Sequence, residues 1–585
     1  MTHEAVEKMG GIGAVIEGLA TCPSYREAFE RTVLVGPLLA TDRPAAERLG
    51  RAGEVIYSSL DEIDAGGWSA KFRPIERTYE VGIIYGRRPL DLPAGEGGTE
   101  VEVLLVDVFR FNRERLNLFK AQLFSRFGVP SDRFEHIWEY EQYLRLAEPA
   151  CEALRVIGCR GRPGRPVIIF AHEYMGMPTA LRAMLDGEGD VRTVFYAHET
   201  ASARRTVETH PGHDLMFYNL LDAGRAEGRT LEEFFPELHG FFKHPLVKAA
   251  RFCDAVFAVS DLVAREMRFL SPAHQTMPVE VIYNGVPTGM VPAEARRQHR
   301  RRLRQYAKAI FGFEPDYIFT HVARPVLSKG IWRDLGVMHE LEPLLKRRGS
   351  TAVYFHLGTL AGQRRRRDVL HMERLYGWPV HHELGYPDLC NGEETVGELF
   401  EDFNRHHSAI RVVQVNQFGW EHRLCGLRMP QGACMGDIRH GTDAEFGLSV
   451  YEPFGISQLE PLPAGAICLV SGVCGCLDLV RRCVDGALPP NVLVGDYVPG
   501  RGTMTAARAA ALGRAERDEV EAGQAKRLAA ELARRLPRDE AQMAKLVELG
   551  WRLGQRLSWQ RVVSEYFLPA VRRACERDDP AGDGS

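Results

Sequence analysis

The chain has 585 residues, 45% hydrophobic and 26% charged, with 74 lysines and arginines against 78 aspartates and glutamates. That length exceeds what one core serves and predicts at least two domains. The near balance of charge excludes a globally basic nucleic-acid binder and an acidic solvating chain.

The start, MTHEAVEKMGG, lacks the basic flank and apolar core of a secretory leader, and no run is long and apolar enough for a membrane span. A cytoplasmic protein is expected. The first informative words are Glu4 and KMGGIGAVIEGL. Gly10, Gly11 and Gly13 precede a helical spacing of Val15, Ile16 and Leu19, so a glycine loop opens a helix. The glycines let backbone approach a ligand, and Lys8 adds charge beside the helix amino terminus. From there to about residue 290, strand-like runs alternate with helical stretches: TVLVGPLL, VGIIYG, EVLLVDV, PVIIFAHE, RTVFYAHE, DAVFAVS and VEVIYNG. This alternation predicts a βαβ domain with a mainly parallel sheet. Two of the runs end in His-Glu, at His172 with Glu173 and at His198 with Glu199. Ligands in such sheets bind beyond the carboxyl ends of strands, so the two pairs point to a shared cleft.

Residues 288 to 306 mix Pro, Gly and a dense basic run and read as a linker and the first helix of a second domain, with the arginines on a solvated face. YIFTHVARPVLSKG is a strand followed by a loop carrying Arg324 and Lys329, two cations that can straddle a diphosphate at a strand's carboxyl end. AVYFHLGT and IRVVQVNQFGW are further strands, and Arg364 to Arg367 between them read as a solvated helix face. Twelve cysteines without a paired CxxC read as reduced thiols. His422, Cys425, Cys434 and His440 share one short segment but fit no common zinc spacing.

The most informative stretch is Tyr451 to Gly475, YEPFGISQLEPLPAGAICLVSGVCG, between the strand-like runs AEFGLSV and AICLVSGV. EPFG reads as the loop at a strand's carboxyl end, with Phe454 in it, Gly455 opening the backbone and Ile456 to Pro463 entering a helix. Glu452 would face a crevice from the loop, and Glu460 from two turns further along the same helix face. A helix amino terminus favours an anion, and two carboxylates beside it suit a nucleotide sugar, one on sugar hydroxyls and one on ribose hydroxyls. NVLVGDYV reads as the last strand, and residues 504 to 585 as helices.

The Tyr451 to Gly475 stretch resembles the donor-binding signature of retaining glycosyltransferases of the GT-B fold, most closely the glycogen and starch synthases. Lys8, Gly10 and Gly11 match the K-x-G-G motif of those enzymes, and Glu4 and Arg204 resemble the eukaryotic type. ARPVLSKG matches their R-x4-K-G loop, while IFAHEYMG, YAHETASAR, VIYNGVP and LSWQRVVSEYFLPAV resemble further landmarks in the same order. Two departures stand out. Only seven mostly polar residues precede Lys8, so the first strand of the family is missing or replaced. SGVCGCLDLV resembles the S-T-G-G loop with Gly475 in register, but Cys474 replaces a glycine and its Cβ would intrude toward the donor phosphate.

The resemblance implies an α/β chain of GT-B fold, with two Rossmann-like domains facing a cleft and a C-terminal crossover helix. Residues 1-290, completed by a helix at 557-575, would form the acceptor-side domain, and 291-556 the donor domain. The implied reaction moves a glucosyl unit from UDP-glucose or ADP-glucose to the non-reducing end of an α-1,4-glucan with retention. Alternatives are another acceptor, a disaccharide or glycolipid precursor, or a catalytically silent sugar-binding homologue. In the family picture Glu452 contacts the donor sugar, His198 orients the donor, and Arg324 and Lys329 neutralise the leaving diphosphate. Lys8, Gly10, Gly11, Arg204, Phe454, Gly455, Glu460 and Gly475 line the donor, and His172 and Glu173 shape the acceptor cleft. Neither metal nor cofactor is expected. The expected partners are a nucleotide sugar and a carbohydrate, without nucleic acid or a membrane, and an oligomer is compatible with the composition.

Overall fold

The computed structural model describes residues 1–6, 10–39, 44–50, 52–90, 99–187 and 189–576. The chain divides into two compact units, one of Met1–Ala203, Gly228–Gly285 and Trp559–Ser585, the other of Arg204–Glu227 and Val286–Ser558. Among the described residues no helix is long and apolar enough to cross a membrane.

The first unit holds two sheets. Strands β1 (Val33–Pro37), β2 (Glu54–Ser58), β3 (Ile63–Asp64), β4 (Gly82–Leu90) and β5 (Thr99–Asp107) lie in the order β1-β5-β4-β2-β3. Only β1 with β5 is parallel there; β5 with β4, β4 with β2 and β2 with β3 are antiparallel. The expected mainly parallel sheet is therefore confined to the second sheet, β6 (Val167–His172), β7 (Val191–Ala197), β8 (Ala255–Ala258) and β9 (Glu280–Val281), which is parallel throughout. Alternation of apolar runs gives strand positions but not direction, and short β2 and β3 turn back without a helical crossover.

No strand forms among residues 1–6. Instead, backbone of Met1 bonds to Phe170 and His172 of β6 at 2.9 and 3.2 Å, while Thr2 N donates to Val35 O of β1 at 2.9 Å. Two residues thus link the edges of both sheets. Trp559 opens the terminal helical segment, and a Cβ at either Gly18 or Gly285 would overlap its backbone or indole. Further along, Phe567 packs against Phe170 and Phe257, at ring distances of 5.6 and 6.2 Å. Their contact explains why residues from 559 onward group with this unit.

The second unit carries one six-stranded parallel sheet of β10 (Tyr317–Val322), β11 (Ala352–Leu357), β12 (Ile410–Val415), β13 (Ala444–Gly447), β14 (Ile467–Ser471) and β15 (Val492–Gly495). Its order is β12-β11-β10-β13-β14-β15, so the chain reverses direction of growth between β10 and β13. Successive side chains alternate between faces. Tyr317, Phe319, Tyr354 and Val412 enter one core with Leu341 and Leu528, whereas Ile318, Val353, Phe355 and Val413 enter another with Leu303 and Trp378.

Charge anchors this unit more than the sequence implied. Helix Ala293–Phe311 carries the basic run, yet Arg296 is buried and donates to Ala464 O at 2.9 Å, and Arg300 meets Asp443 at 3.0 Å. These two arginines do not form a solvated face. Arg364 is likewise buried, with Glu393 at 2.5 Å and Pro387 O at 2.6 Å, leaving Arg365 to Arg367 exposed. Together with Trp378 Nε1 on Asn416 at 2.8 Å, it fastens the long segment between β11 and β13, to which sequence assigned no role. The segment Arg204–Glu227 is held by Asp214, paired with Arg333 at 2.7 Å with both side chains buried. Such a pair, satisfied on both sides, makes removal of one partner costly.

Candidate functional site

In the second unit the loops after β10 and β13, the strands flanking the reversal, supply the charged groups. Arg324 follows β10, is exposed, and its side chain has no hydrogen bond or ion pair among the described residues. Lys329 ends the short 3₁₀ turn Leu327–Lys329, and Gly330, at φ +62°, then opens helix Ile331–Lys346. A side chain at Gly330 would be strained and would meet Leu448 O at 2.5 Å. Lys329 Nζ lies 2.7 Å from Glu452 Oε2, from the loop after β13. The same oxygen accepts from Ser449 Oγ at 3.2 Å and Gln458 Nε2 at 3.1 Å.

Gly455 sits at φ +87° as the cap of a helix covering only Ile456–Leu459. A Cβ there would come 2.7 Å from Gln458 Oε1 and 2.8 Å from Cys474 Sγ, so both conformation and space demand glycine. The expected helix to Pro463 does not form. Proline at 461 and 463 cannot donate into the ladder, and a 3₁₀ turn at Leu462–Ala464 replaces it. Glu460 consequently caps a one-turn helix and shares no helix face with Glu452. It pairs with Arg439 at 2.5 Å, and Arg439 also donates to Ser457 O at 3.2 Å.

Cys474 packs between the two loops. It is buried, and its sulfur turns inward onto Phe454 O and Gln458 Oε1, each at 2.9 Å. Phe454 O also accepts from Cys476 N at 2.8 Å, and Gly475 N donates to Glu452 O at 3.0 Å, so the two loops zip together by backbone. Arg204, in helix Ala201–Thr209 and grouped with this unit, pairs with Glu208 at 3.0 Å.

The first unit gathers a different set at the carboxyl ends of β6 and β7. His172 Nδ1 and His198 Nε2 are 2.8 Å apart, and Tyr196 stacks on His198 at 4.6 Å between ring centres. Burial brings His198 down to about 3 and, with the charge of His198 second, holds His172 well below its ordinary range. Glu173 has φ +59°, a strained value for a side-chain-bearing residue. Its Oε1 accepts from the amides of His198 and Glu199, the latter at 2.7 Å, while Oε2 is buried with no partner among the described residues. Burial, then the charge of Glu199, pushes this carboxyl well above the usual range, favouring the neutral acid. His172 and Glu173 thus form one cluster with His198.

Lys8 lies outside the described residues. Gly10 and Gly11 open helix Gly11–Ala20 as the spacing predicts, but Glu4 Oε2 accepts from Gly10 N and Gly13 N, each at 2.9 Å. An internal carboxylate therefore takes the anion position at this helix end. His422 bonds to Met429 O and Cys425 to Gly419 O, each apart from Cys434 and His440. Among the described residues two other groups could geometrically hold a cation, Glu232 with His239 and His244, and His299 with Cys434 and Asp437. Lys248 at 2.5 Å and Arg302 at 2.6 Å already neutralise their carboxylates.

Sequence reading missed Gln458, Ser449, Arg439 and Tyr196. Gln458 follows the glycine cap by three residues, the one local signal among them; the others reach the site only through tertiary contact.

Residues 76–289 match Glycosyltransferase Family 4. Among curated proteins no sequence match is found. The catalytic domain of starch synthase IV from Arabidopsis thaliana, bound to ADP and acarbose, is 15% identical, with a TM-score of 0.52 and 98% of each chain covered. A UDP-forming α,α-trehalose-phosphate synthase from Burkholderia xenovorans is 15% identical at a TM-score of 0.42, covering 84% of this chain and 91% of its own. The chain thus has the α/β fold of the GT-B glycosyltransferases.

Proposed function

We propose that the chain is a retaining glycosyltransferase of the glycogen and starch synthase type, moving a glucosyl unit from UDP-glucose or ADP-glucose to the non-reducing end of an α-1,4-glucan. The observation that carries this reading is the 2.7 Å Lys329–Glu452 pair on the two loops flanking the sheet reversal, with the exposed Arg324 on the loop after β10. Nucleotides bind such sheets at that point. Arg324 and Lys329 take the diphosphate; a phosphate oxygen at Lys329 draws the ammonium from Glu452 and frees its carboxylate for donor-sugar hydroxyls. The bond from the anomeric carbon to the phosphate oxygen breaks, the acceptor hydroxyl joins the same face of that carbon, and its proton passes to the departing phosphate.

Glu460, oriented by Arg439, is assigned the ribose hydroxyls, and Phe454, Gly455 and Gly475 the backbone along the donor. Lys8, Gly10, Gly11 and Arg204 are assigned further donor contacts. His172 and Glu173 hold acceptor hydroxyls, and His198, neutral near pH 7, orients the donor. Residues 1-290 with the helix at 557-575 serve the acceptor, and 291-556 the donor. Supporting this reading, the starch synthase IV domain of similar fold binds ADP and acarbose, a nucleoside diphosphate and an oligosaccharide. One observation favours the silent sugar-binding homologue: Glu4 occupies the amides of Gly10 and Gly13.

The test is release of nucleoside diphosphate by purified protein given UDP-glucose or ADP-glucose, with and without glycogen. Primer-dependent release that disappears in Glu452→Ala is expected. Release independent of primer is transfer of the glucosyl unit to water and counts against a glucan synthase, and binding without release points to another acceptor or to the silent homologue.

A further inference from the structure

Phe109, just past the carboxyl end of β5, and Trp138, which opens helix Trp138–Val156, are exposed by 53% and 42%. Their rings nevertheless stack, with centres 5.2 Å apart and planes 13° from parallel. One side chain holds this arrangement. Arg145, two turns into the helix, donates to Val108 O at 3.2 Å and Phe109 O at 3.4 Å, and its guanidinium carbon lies 5.2 Å from the centre of the Trp138 ring. Two large rings ordered in water, rather than buried, mark a binding surface more than a packing one.

The surroundings indicate what binds. The residue after Trp138, Glu139, accepts from Tyr174 OH at 2.5 Å and pairs with Lys243 at 2.8 Å, and Lys243 lies 4.7 Å from the centre of the Tyr174 ring. Tyr174 is next in chain to Glu173, so the stack stands one short relay from the His172, Glu173 and His198 cluster, within the same unit. The polar side chains of Arg110, Glu135 and His136 beside it in sequence are exposed. A pyranose ring fits this chemistry: its axial C–H face lies on an aromatic ring while its hydroxyl rim stays in water and meets polar neighbours.

We propose that the Phe109–Trp138 stack is a carbohydrate subsite that holds a sugar ring of the acceptor glycan beyond the one contacted by His172 and Glu173. The subsite rests on the reading of this cluster as the acceptor side. Arg145 positions the stack without touching the sugar.

Maltoheptaose titrated into the full chain, followed by tryptophan fluorescence and by calorimetry, tests this directly. Saturable binding is expected in the natural protein, weakened at least tenfold in Trp138→Ala and in Phe109→Ala, with nucleoside diphosphate affinity unchanged in both. Because both side chains are exposed, the variants should keep the thermal midpoint of the parent, which melting confirms. Equal maltoheptaose affinity in parent and variants, or none in the parent, overturns the subsite. Diphosphate release from nucleotide sugar separates the two claims. Release unaltered by Trp138→Ala at limiting long primer sinks the subsite alone, whereas Trp138-dependent maltoheptaose binding without any release sustains the subsite and sinks the transferase.

Discussion

The two polar clusters sit in the same kind of place, at carboxyl ends of parallel strands, yet they are built from opposite electrostatics. After β10 and β13 the second unit sets a cation and a carboxylate 2.7 Å apart, with an exposed guanidinium on the same loop as the cation. After β6 and β7 the first unit sets the buried His172 and Glu173 against the half-buried His198, and loss of water favours their uncharged forms. Ions exchange partners when a charged ligand arrives, whereas neutral hydrogen-bonding groups meet hydroxyls without stripping a charge of its water. A diphosphate suits the first arrangement and a sugar acceptor suits the second.

The largest expected effect breaks the charged side. Lys329→Ala removes the cation proposed to meet the diphosphate and leaves Glu452 with only its Ser449 and Gln458 hydrogen bonds, and kcat should fall by about 10²- to 10³-fold. Steady-state rates with saturating donor measure this, and a loss smaller than threefold would remove Lys329 from the reaction.

Acid tests the neutral side through stability. His198 and His356 are brought down by burial to about 3, and His274 and His440 to about 4. The unfolded chain takes up protons at these positions below about pH 6.5, whereas the folded chain does so only near 3 to 4. Stability therefore falls as pH drops from about 6.5 toward 4, and melting across that window should show a steady decline. A flat profile would contradict the burial of these imidazoles.

The smallest effect sharpens the contrast. Glu173→Gln keeps the shape and the acceptor oxygen of a carboxyl held neutral, so rates should stay within a fewfold of the parent. The same exchange at Glu452 removes a charge and should cost far more. Equal damage from the two exchanges would mean that Glu173 works as an anion.

Much of this architecture was legible from residues alone, for physical reasons. The six strands of the second unit are buried on both faces and so read as continuous apolar runs, and their ends place Arg324, Lys329 and Glu452 on neighbouring loops. Strand direction in the first sheet was not legible, because an apolar run carries no sign. The helix stop at Leu459 was available in Pro461 and went unread. Arg296 and Arg300 looked solvated because their acid, Asp443, lies far off in sequence, and the grip of Glu4 on Gly10 and Gly13 was not legible because it depends on a turn.

The proposed transfer stands or falls with a diphosphate site on the loops after β10 and β13. Calorimetric titration of UDP and ADP into the parent chain and Arg324→Ala tests it most directly, since Arg324 is exposed and its removal should not disturb folding. Saturable binding of at least one nucleotide is expected, weakened tenfold or more by the substitution. Binding of neither nucleotide, or equal affinity in parent and variant, would contradict it.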